Sequence, residues 1–203
     1  MKALVYNEER KLWLKQKKQK SGPAIFMYSV IALMLTVAAV CFALYYTGRL
    51  SHGAVLWTGV CAFTIVYHFW LRIIMGNVTK LFGIRYTQAW FKQRRFEPKL
   101  YKILRIRSWR DKVLTYDPEA FDVKAHTLEE IANTMSKAET DHWINEIISL
   151  TTVFFGLIWG RTWIFAVTAV AAMLFDAQFI LVQRYNRPAV LRLMQRRKNK
   201  AAA

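Results

Sequence analysis

MSKAETDHWINEII, residues 135–148, lies where a long basic and polar segment passes into an apolar one. If this stretch is helical, Glu139 and His142 are three residues apart and project from one face, with Glu146 one turn further on. An acid and a histidine stacked at a membrane entrance suit a general-base pair or half of a metal site. An interfacial helix with its polar residues in water would have the same spacing, so this pattern alone leaves the alternatives open.

The composition indicates a membrane protein rather than a nucleic-acid-binding one. The chain has 203 residues, is 55% hydrophobic and carries a formal net charge of +17. A soluble domain this basic would suggest nucleic acid, but here the basic residues are excluded from long apolar runs and crowded between them. That distribution is typical of polytopic membrane proteins, and we therefore expect no nucleic-acid partner. Cys41 and Cys61 lie inside apolar runs, where simple packing is expected rather than a disulfide.

Four apolar runs predict an all-α membrane bundle with four transmembrane helices. The spans are expected at about residues 24–47, 53–75, 144–159 and 162–183, with 1–200 forming a single integral membrane domain. The third run is short, so we expect a third helix that is itself short or is continued by the polar helix that precedes it. Residues 76–143 are then a large cytoplasmic loop with interfacial amphipathic helices.

Polar residues inside the apolar runs are candidate site residues. His68 and Arg72 are four residues apart in the second run and share a helical face. Asp176 lies inside the fourth run, and Gln183 follows seven residues later on the same face. Such residues usually face the interior of a bundle because their exposure to lipid is costly. An interhelical hydrogen bond would explain Asp176 equally well, so a structural role stays open.

The polar segments predict a membrane-facing surface. Aromatic and basic residues interleave from Tyr86 to Arg110, which favours a helix in the headgroup plane. The lysine cluster within residues 1–20 predicts a second interfacial segment. Thr127 and Glu130 fit a capping box, which would begin the helix that carries Glu139 and His142.

The fourth run is followed by Arg184-Tyr-Asn-Arg-Pro188. Proline disfavours a helical conformation of the residue before it, so we expect Arg187 to leave the helix and the motif to form a corner. Two guanidinium groups and Asn186 suit a phosphate or carboxylate headgroup.

The distribution of positive charge predicts the orientation. Lysine and arginine number 7 before the first span, 14 from Arg72 to Lys137, 7 from Arg184 onward and 2 in the short turns. The positive-inside rule then places both termini and the large loop in the cytoplasm of a multi-pass cell-membrane protein.

Several of these residues occur in an order that resembles a known family. The order is His68…Arg72, Phe96-Glu97…Leu100-Tyr101…Trp109, Glu139-Thr-Asp-His142 and Gln183-Arg-Tyr-Asn-Arg-Pro188. It resembles the glycosyl-4,4'-diaponeurosporenoate acyltransferase family, small four-span membrane proteins of carotenoid glycolipid biosynthesis, over about residues 60–195. The resemblance implies transfer of a fatty acyl chain onto a sugar hydroxyl.

Acyl transfer to a hydroxyl needs a base and groups that stabilise an oxyanion, which assigns expected roles. His142, oriented by Glu139, is the expected base, and His68 is a further catalytic candidate. The expected substrate-binding residues are Arg72, Asp176, Gln183, Arg184, Asn186 and Arg187, with the arginines holding donor phosphates or the developing negative charge. Acyl-CoA or an acyl-lipid is the expected donor, and no cofactor or resident metal is assigned. The expected partners are the lipid bilayer and a lipid substrate, with a homo-oligomer or a complex with other lipid-synthesis enzymes as further options.

Two other functions fit the same residues. His68, Glu139, His142 and Asp176 are suitable ligand types for a zinc or two-metal centre in a helical bundle. Alternatively, the protein is a non-catalytic lipid-binding scaffold of a larger synthase, with the RYNRP corner as a headgroup clamp.

Overall fold

The computed structural model describes residues 22–113 and 118–202, and every regular element in these ranges is a helix. The predicted interfacial segment within residues 1–20 lies outside the described residues. The α-helices are α1 (Gly22–Tyr46), α2 (Gly53–Val78), α3 (Glu97–Ile103), α4 (Ile106–Trp109), α5 (Leu128–Thr151), α6 (Gly156–Trp159) and α7 (Thr162–Ala202). Short 3₁₀ turns occur at Thr79–Leu81, Ala89–Phe91, Arg110–Lys112, Pro118–Phe121 and Thr152–Phe155.

The chain divides into two compact units, Met1–Val66 and Tyr67–Ala203. In the first unit the ring of Phe42 from α1 lies 6.3 Å from that of Phe63 from α2. The second unit begins inside α2 and contains every candidate site residue. A single membrane domain over 1–200 stays a prediction.

Within the described residues, three helices are long and apolar enough to cross a membrane, namely Ile25–Tyr46, Gly53–Leu81 and Thr162–Ala201. They correspond to the first, second and fourth predicted spans. Large apolar side chains along them, such as Leu33 and Val167, are exposed, which suits a lipid environment. The all-helical class is therefore confirmed, together with three candidate membrane helices.

The third predicted span does not form one apolar helix. Its residues are divided between the end of α5, the Thr152–Phe155 turn and the four-residue helix α6. Of the two alternatives for this run, the structure has the continued helix, because α5 begins at Leu128 and passes Ile144 without a break. A four-span bundle therefore stays a prediction.

Pro188 does not end the last helix, contrary to the predicted corner at RYNRP. Helix α7 runs without interruption from Thr162 to Ala202 and contains Pro188. Proline lacks the N–H that would bond to the carbonyl four residues earlier, and its ring crowds that carbonyl, which together cost about 3 kcal/mol inside a helix. The side chains of Arg184 and Arg187 are anchored to other helices on either side of that position, which offsets this cost.

The loop between α2 and α5 is built from several short helical pieces, in the region where the pattern of Tyr86–Arg110 favoured a helix in the headgroup plane. Pro98 lies in the first turn of α3, where proline is well tolerated. Arg105 has φ of 49°, a left-handed conformation that separates α3 from α4. Four side chains of the loop are buried, namely those of Phe91, Glu97, Tyr101 and Ile106. Its interfacial position stays a prediction.

Helix α5 begins with the predicted capping box. The Glu130 amide donates to Thr127 Oγ1 at 3.2 Å, and the Thr127 amide donates to Glu130 Oε2 at 2.9 Å. The bond from the Thr127 amide lowers the pKa of the Glu130 carboxyl because it stabilises the ionised form.

Replacing the capping threonine should destabilise the N-terminus of α5. We expect Thr127→Ala to lower the free energy of unfolding by about 1 kcal/mol, because one helix amide loses its acceptor. Thr127→Ser, which keeps the hydroxyl, is the control. Chemical denaturation in mixed micelles measures both variants, and equal losses for the two would contradict the role of the cap.

Helices α5 and α7 form an antiparallel hairpin. His142 contacts Asp176 while Glu139 contacts Arg184, so residue numbers rise along α5 as they fall along α7. The turn is tight, because a Cβ on Gly156 would lie only 2.6 Å from the Cα of Thr162. The polar face of α5 is thereby held against α7, and the candidate site lies between these two helices.

Candidate active site

The buried carboxylate of Asp176 connects three helices. Its side chain is 1% exposed, and its Oδ1 lies 2.8 Å from Nδ1 of His142 and accepts from the Asn145 amide at 3.2 Å. Its other oxygen accepts from the guanidinium of Arg72. We call these four residues the His142 cluster. Asp176 of α7 thus holds α2 and α5 together through a set of charged hydrogen bonds.

The cluster fixes the orientation of the His142 imidazole. When the Asp176 carboxylate is ionised it only accepts hydrogen bonds, and the proton of this contact is then on Nδ1 of His142. In a neutral ring the lone pair is then on Nε2. The ring stacks on Phe179 with centroids 4.5 Å apart and planes 3° apart, and the His142 side chain is 23% exposed. Sequence reasoning assigned Asp176 to substrate binding, whereas the structure pairs it with the predicted base.

Two further polar groups lie beside the His142 cluster. His68 and Glu146 are each within electrostatic range of both Arg72 and Asp176. Nδ1 of His68 is buried without a hydrogen-bond partner among the described residues. Glu146 is 8% exposed, and no described side chain donates to its carboxylate. Both groups are therefore available for water or a bound polar ligand.

Asn145 and Glu146 were not among the predicted site residues. They lie three and four residues after His142, which places all three side chains on one helical face. That spacing could have identified them, but only the contact with Asp176 shows which face of α5 packs against α7 and forms the site.

Glu139 does not orient His142, which corrects the predicted base pair. The Glu139 side chain is fully buried, its Oε1 accepts from Nε of Arg184 at 2.7 Å, and its Oε2 accepts from Arg187. Arg184 also donates to Glu97 Oε1 at 2.5 Å, and we call these four residues the Glu139 cluster. Both oxygens of Glu139 accept hydrogen bonds from guanidinium groups. The carboxylate is therefore paired with arginines and not with His142.

The Glu139 cluster also accounts for two arginines predicted to bind a headgroup. Arg187 is 1% exposed and donates to the carbonyls of Phe91 at 3.1 Å and Met135 at 3.4 Å. Arg184 donates to the carbonyl of Trp90 at 3.0 Å. The guanidinium N–H groups of both arginines donate to protein groups. Arg187 is too buried to contact a substrate in this arrangement. The expected headgroup clamp is replaced by a link between the loop, α5 and α7.

Tyr101 completes this link on the loop side. Its hydroxyl donates to Glu97 Oε2 at 2.8 Å, and its ring meets Tyr185 edge-on at 5.4 Å. Burial raises the pKa of the Tyr101 hydroxyl, and its hydrogen bond to Glu97 raises it further. Glu97 thus binds Arg184 directly, and Tyr101 supports this contact through Glu97.

The remaining predicted substrate-binding residues lie outside both clusters. Asn186 accepts from Arg110 at 2.9 Å, which ties the loop to α7. Gln183 is half-buried and forms no hydrogen bond with a residue of either cluster. A substrate role for each stays a prediction.

The alternative of a zinc or two-metal centre is not supported by the positions of its candidate ligands. Within residues 22–113 and 118–202, no group of three or more His, Cys, Asp or Glu side chains is placed to hold a metal ion. Of the expected ligands, His142 and Asp176 contact each other, whereas Glu139 is occupied by Arg184 and Arg187. The described residues therefore do not fit the metal alternative.

Comparison with known proteins places these residues in a family. The sequence model of the glycosyl-4,4'-diaponeurosporenoate acyltransferase family matches residues 87–196, more than half of the chain. No curated protein and no solved structure matches the chain significantly. The matched region contains the Glu139 cluster and, from the His142 cluster, His142, Asn145 and Asp176. The resemblance drawn from the sequence motifs is thereby confirmed, and the chain belongs to the glycosyl-4,4'-diaponeurosporenoate acyltransferase family.

Proposed function

We propose that this membrane acyltransferase moves a fatty acyl chain onto a hydroxyl of a glycolipid or other lipid-linked acceptor at the cytoplasmic face, with His142 as general base. The observation that carries the proposal is the contact between Nδ1 of His142 and the buried carboxylate of Asp176. A histidine held in this way presents its second nitrogen to a reacting hydroxyl, as in acyl-transfer sites on unrelated folds.

The chemistry follows from the protonation of His142. Nε2 accepts the proton of the acceptor hydroxyl as its oxygen attacks the carbonyl carbon of the donor, forming the new C–O bond. If the donor is a thioester, collapse of the tetrahedral intermediate breaks the C–S bond, and the imidazolium returns its proton to the departing sulfur. Asp176 stabilises the transient imidazolium because its negative charge lies 2.8 Å from Nδ1.

Arg72 acts on His142 through Asp176 and is a positioning residue. Its guanidinium forms an ion pair with Asp176, whose carboxylate would otherwise be buried with only an imidazole and an amide as partners. A paired charge is far cheaper to bury than an isolated one. Arg72 thus supports an ionised Asp176, which the proposed mechanism requires.

The cytoplasmic location rests on the distribution of charge. The large loop and the region from Arg184 onward carry most of the arginine and lysine, as the positive-inside rule expects for cytoplasmic segments. Arg72 and His142 lie on α2 and α5, the two helices that adjoin this basic loop. A cytoplasmic acyl-CoA or an acyl-lipid in that leaflet could therefore supply the acyl group.

Loss of His142 should abolish the product while leaving the protein in the membrane. We expect an acylated lipid that is absent from cells without the gene to be absent also from cells that carry His142→Ala. His126→Ala is the matched control, because His126 lies near Glu130 and away from the His142 cluster. Mass spectrometry of extracted lipids measures the product, and immunoblotting of membranes measures insertion.

The same experiment addresses the scaffold alternative. A non-catalytic lipid-binding protein would keep its cellular effect after His142→Ala, because such a role requires no general base. Normal levels of the lipid in the His142→Ala strain would therefore contradict the proposed function.

A further inference from the structure

Helix α3 has an inner side that is buried and hydrogen-bonded to the rest of the protein, and an outer side that is exposed. Glu97 and Tyr101 are buried on the inner side, where Glu97 binds Arg184 and Tyr101 binds Glu97. Phe96 and Ile103 are 62% and 77% exposed on the other side. Because the inner contacts prevent the helix from rolling, these two apolar side chains stay exposed.

The loop segment that contains this outer side is strongly basic. Between residues 80 and 107 the only acidic residue is Glu97, which is buried and paired. The basic residues of the same stretch are all exposed, namely Lys80, Arg85, Lys92, Arg94, Arg95, Lys99, Lys102, Arg105 and Arg107. Positive charge surrounding exposed apolar side chains is the pattern of a surface that binds an anionic membrane.

The contacts of α3 with α7 also set the level of α3 relative to the membrane. The apolar part of α7 from Thr162 to Val182 spans about 30 Å at 1.5 Å per residue, the thickness of a hydrocarbon core. Arg184 lies two residues beyond Val182, and its Nη1 is 2.5 Å from Oε1 of Glu97, the first residue of α3. When α7 crosses a bilayer, α3 is therefore level with the headgroups.

We propose that the face formed by Phe96, which immediately precedes α3, and by Lys99, Lys102 and Ile103 of α3 docks onto the anionic lipid headgroups of the membrane that holds the protein. The two apolar side chains enter between headgroups, while the lysine stems lie along the surface and their ammonium groups contact phosphates. This lipid contact is separate from acyl transfer and does not depend on the proposed function. It anchors the loop that carries Glu97, and through Glu97 it supports Arg184 of α7.

A fluorescent reporter on α3 tests the proposal in the full chain. Cys41 and Cys61 are first replaced by serine, and the environment-sensitive dye NBD is attached at Ile103→Cys. The protein is reconstituted into vesicles of phosphatidylcholine, with or without phosphatidylglycerol, and lipids with spin labels near the headgroup serve as quenchers. Val123→Cys is the matched control, because Val123 is an exposed apolar residue of the same loop outside this face.

Docking predicts a blue-shifted, quenchable signal at position 103 in phosphatidylglycerol vesicles and a water-like signal at position 123. Adding Lys99→Gln and Lys102→Gln should lower the ratio of docked to undocked reporter at least tenfold, since each basic residue contributes about 1 kcal/mol at an anionic surface. A water-like signal at position 103 in both vesicle types would overturn the proposal. So would a signal indifferent to phosphatidylglycerol and to the lysines, or one that shifts only when RNA or an acidic protein is added.

Discussion

Asp176→Asn is expected to reduce acyl transfer by roughly 10³- to 10⁴-fold, the scale seen when the acid of a histidine–acid pair is neutralised elsewhere. The substitution preserves the size of the side chain but removes the charge that stabilises the His142 imidazolium. An amide in this place can also donate to Nδ1, which would move the proton of the ring to Nε2 and block its action as a base. Product formation in cells lacking the native gene, divided by the amount of inserted protein, measures the effect.

Two controls separate this effect from a general loss of structure. Asp141→Asn neutralises an acid adjacent to His142, but Asp141 binds Thr79 and Lys137 rather than the His142 cluster. We expect it to retain most of the activity. Asn145→Ala removes one donor to Asp176 while keeping its charge, so a loss closer to tenfold is expected. Equal activity of Asp176→Asn and the native protein would refute His142 as a base positioned by Asp176.

Glu139→Gln is expected to lower the free energy of unfolding by about 3–5 kcal/mol, the cost of breaking a buried ion pair by removing one partner. Glu139 is the carboxylate that neutralises Arg187, whose side chain is 2% exposed. Arg184 still has Glu97, but Arg187 would keep only carbonyl partners among the described residues. Denaturant-induced unfolding in mixed micelles measures the loss.

A double variant distinguishes a structural role from a catalytic one. Glu139→Leu together with Arg187→Met should cost less than the sum of the two single substitutions, because neither charge is then left buried alone. Glu129→Gln, an exposed acid in the first turn of α5, is the surface control and should change stability by less than about 1 kcal/mol. If Glu139→Gln lost activity at unchanged stability, Glu139 would belong to the chemistry as first expected.

The local features of this chain could be predicted from local chemistry. Apolar runs identified the helices that begin at Gly22, Gly53 and Thr162, because burying backbone polar groups in lipid demands helices. The capping box at Thr127 and Glu130 needs only neighbouring residues, and it formed as expected. Local rules were insufficient at Pro188, because the anchoring of Arg184 and Arg187 by distant groups keeps α7 continuous.

The sequence by itself determined which residues are costly to bury, whereas only the tertiary structure decided how they pair. Glu139 and His142 share a face of α5, and their spacing suggested a pair. The antiparallel approach of α7 instead places Asp176 beside His142 and Arg184 beside Glu139. Asp176 and Arg184 are eight residues apart, about 12 Å along a helix, so each reaches a different level of α5. The physical reason is that buried charges pair with the nearest opposite charge in space, and that neighbour depends on helix packing.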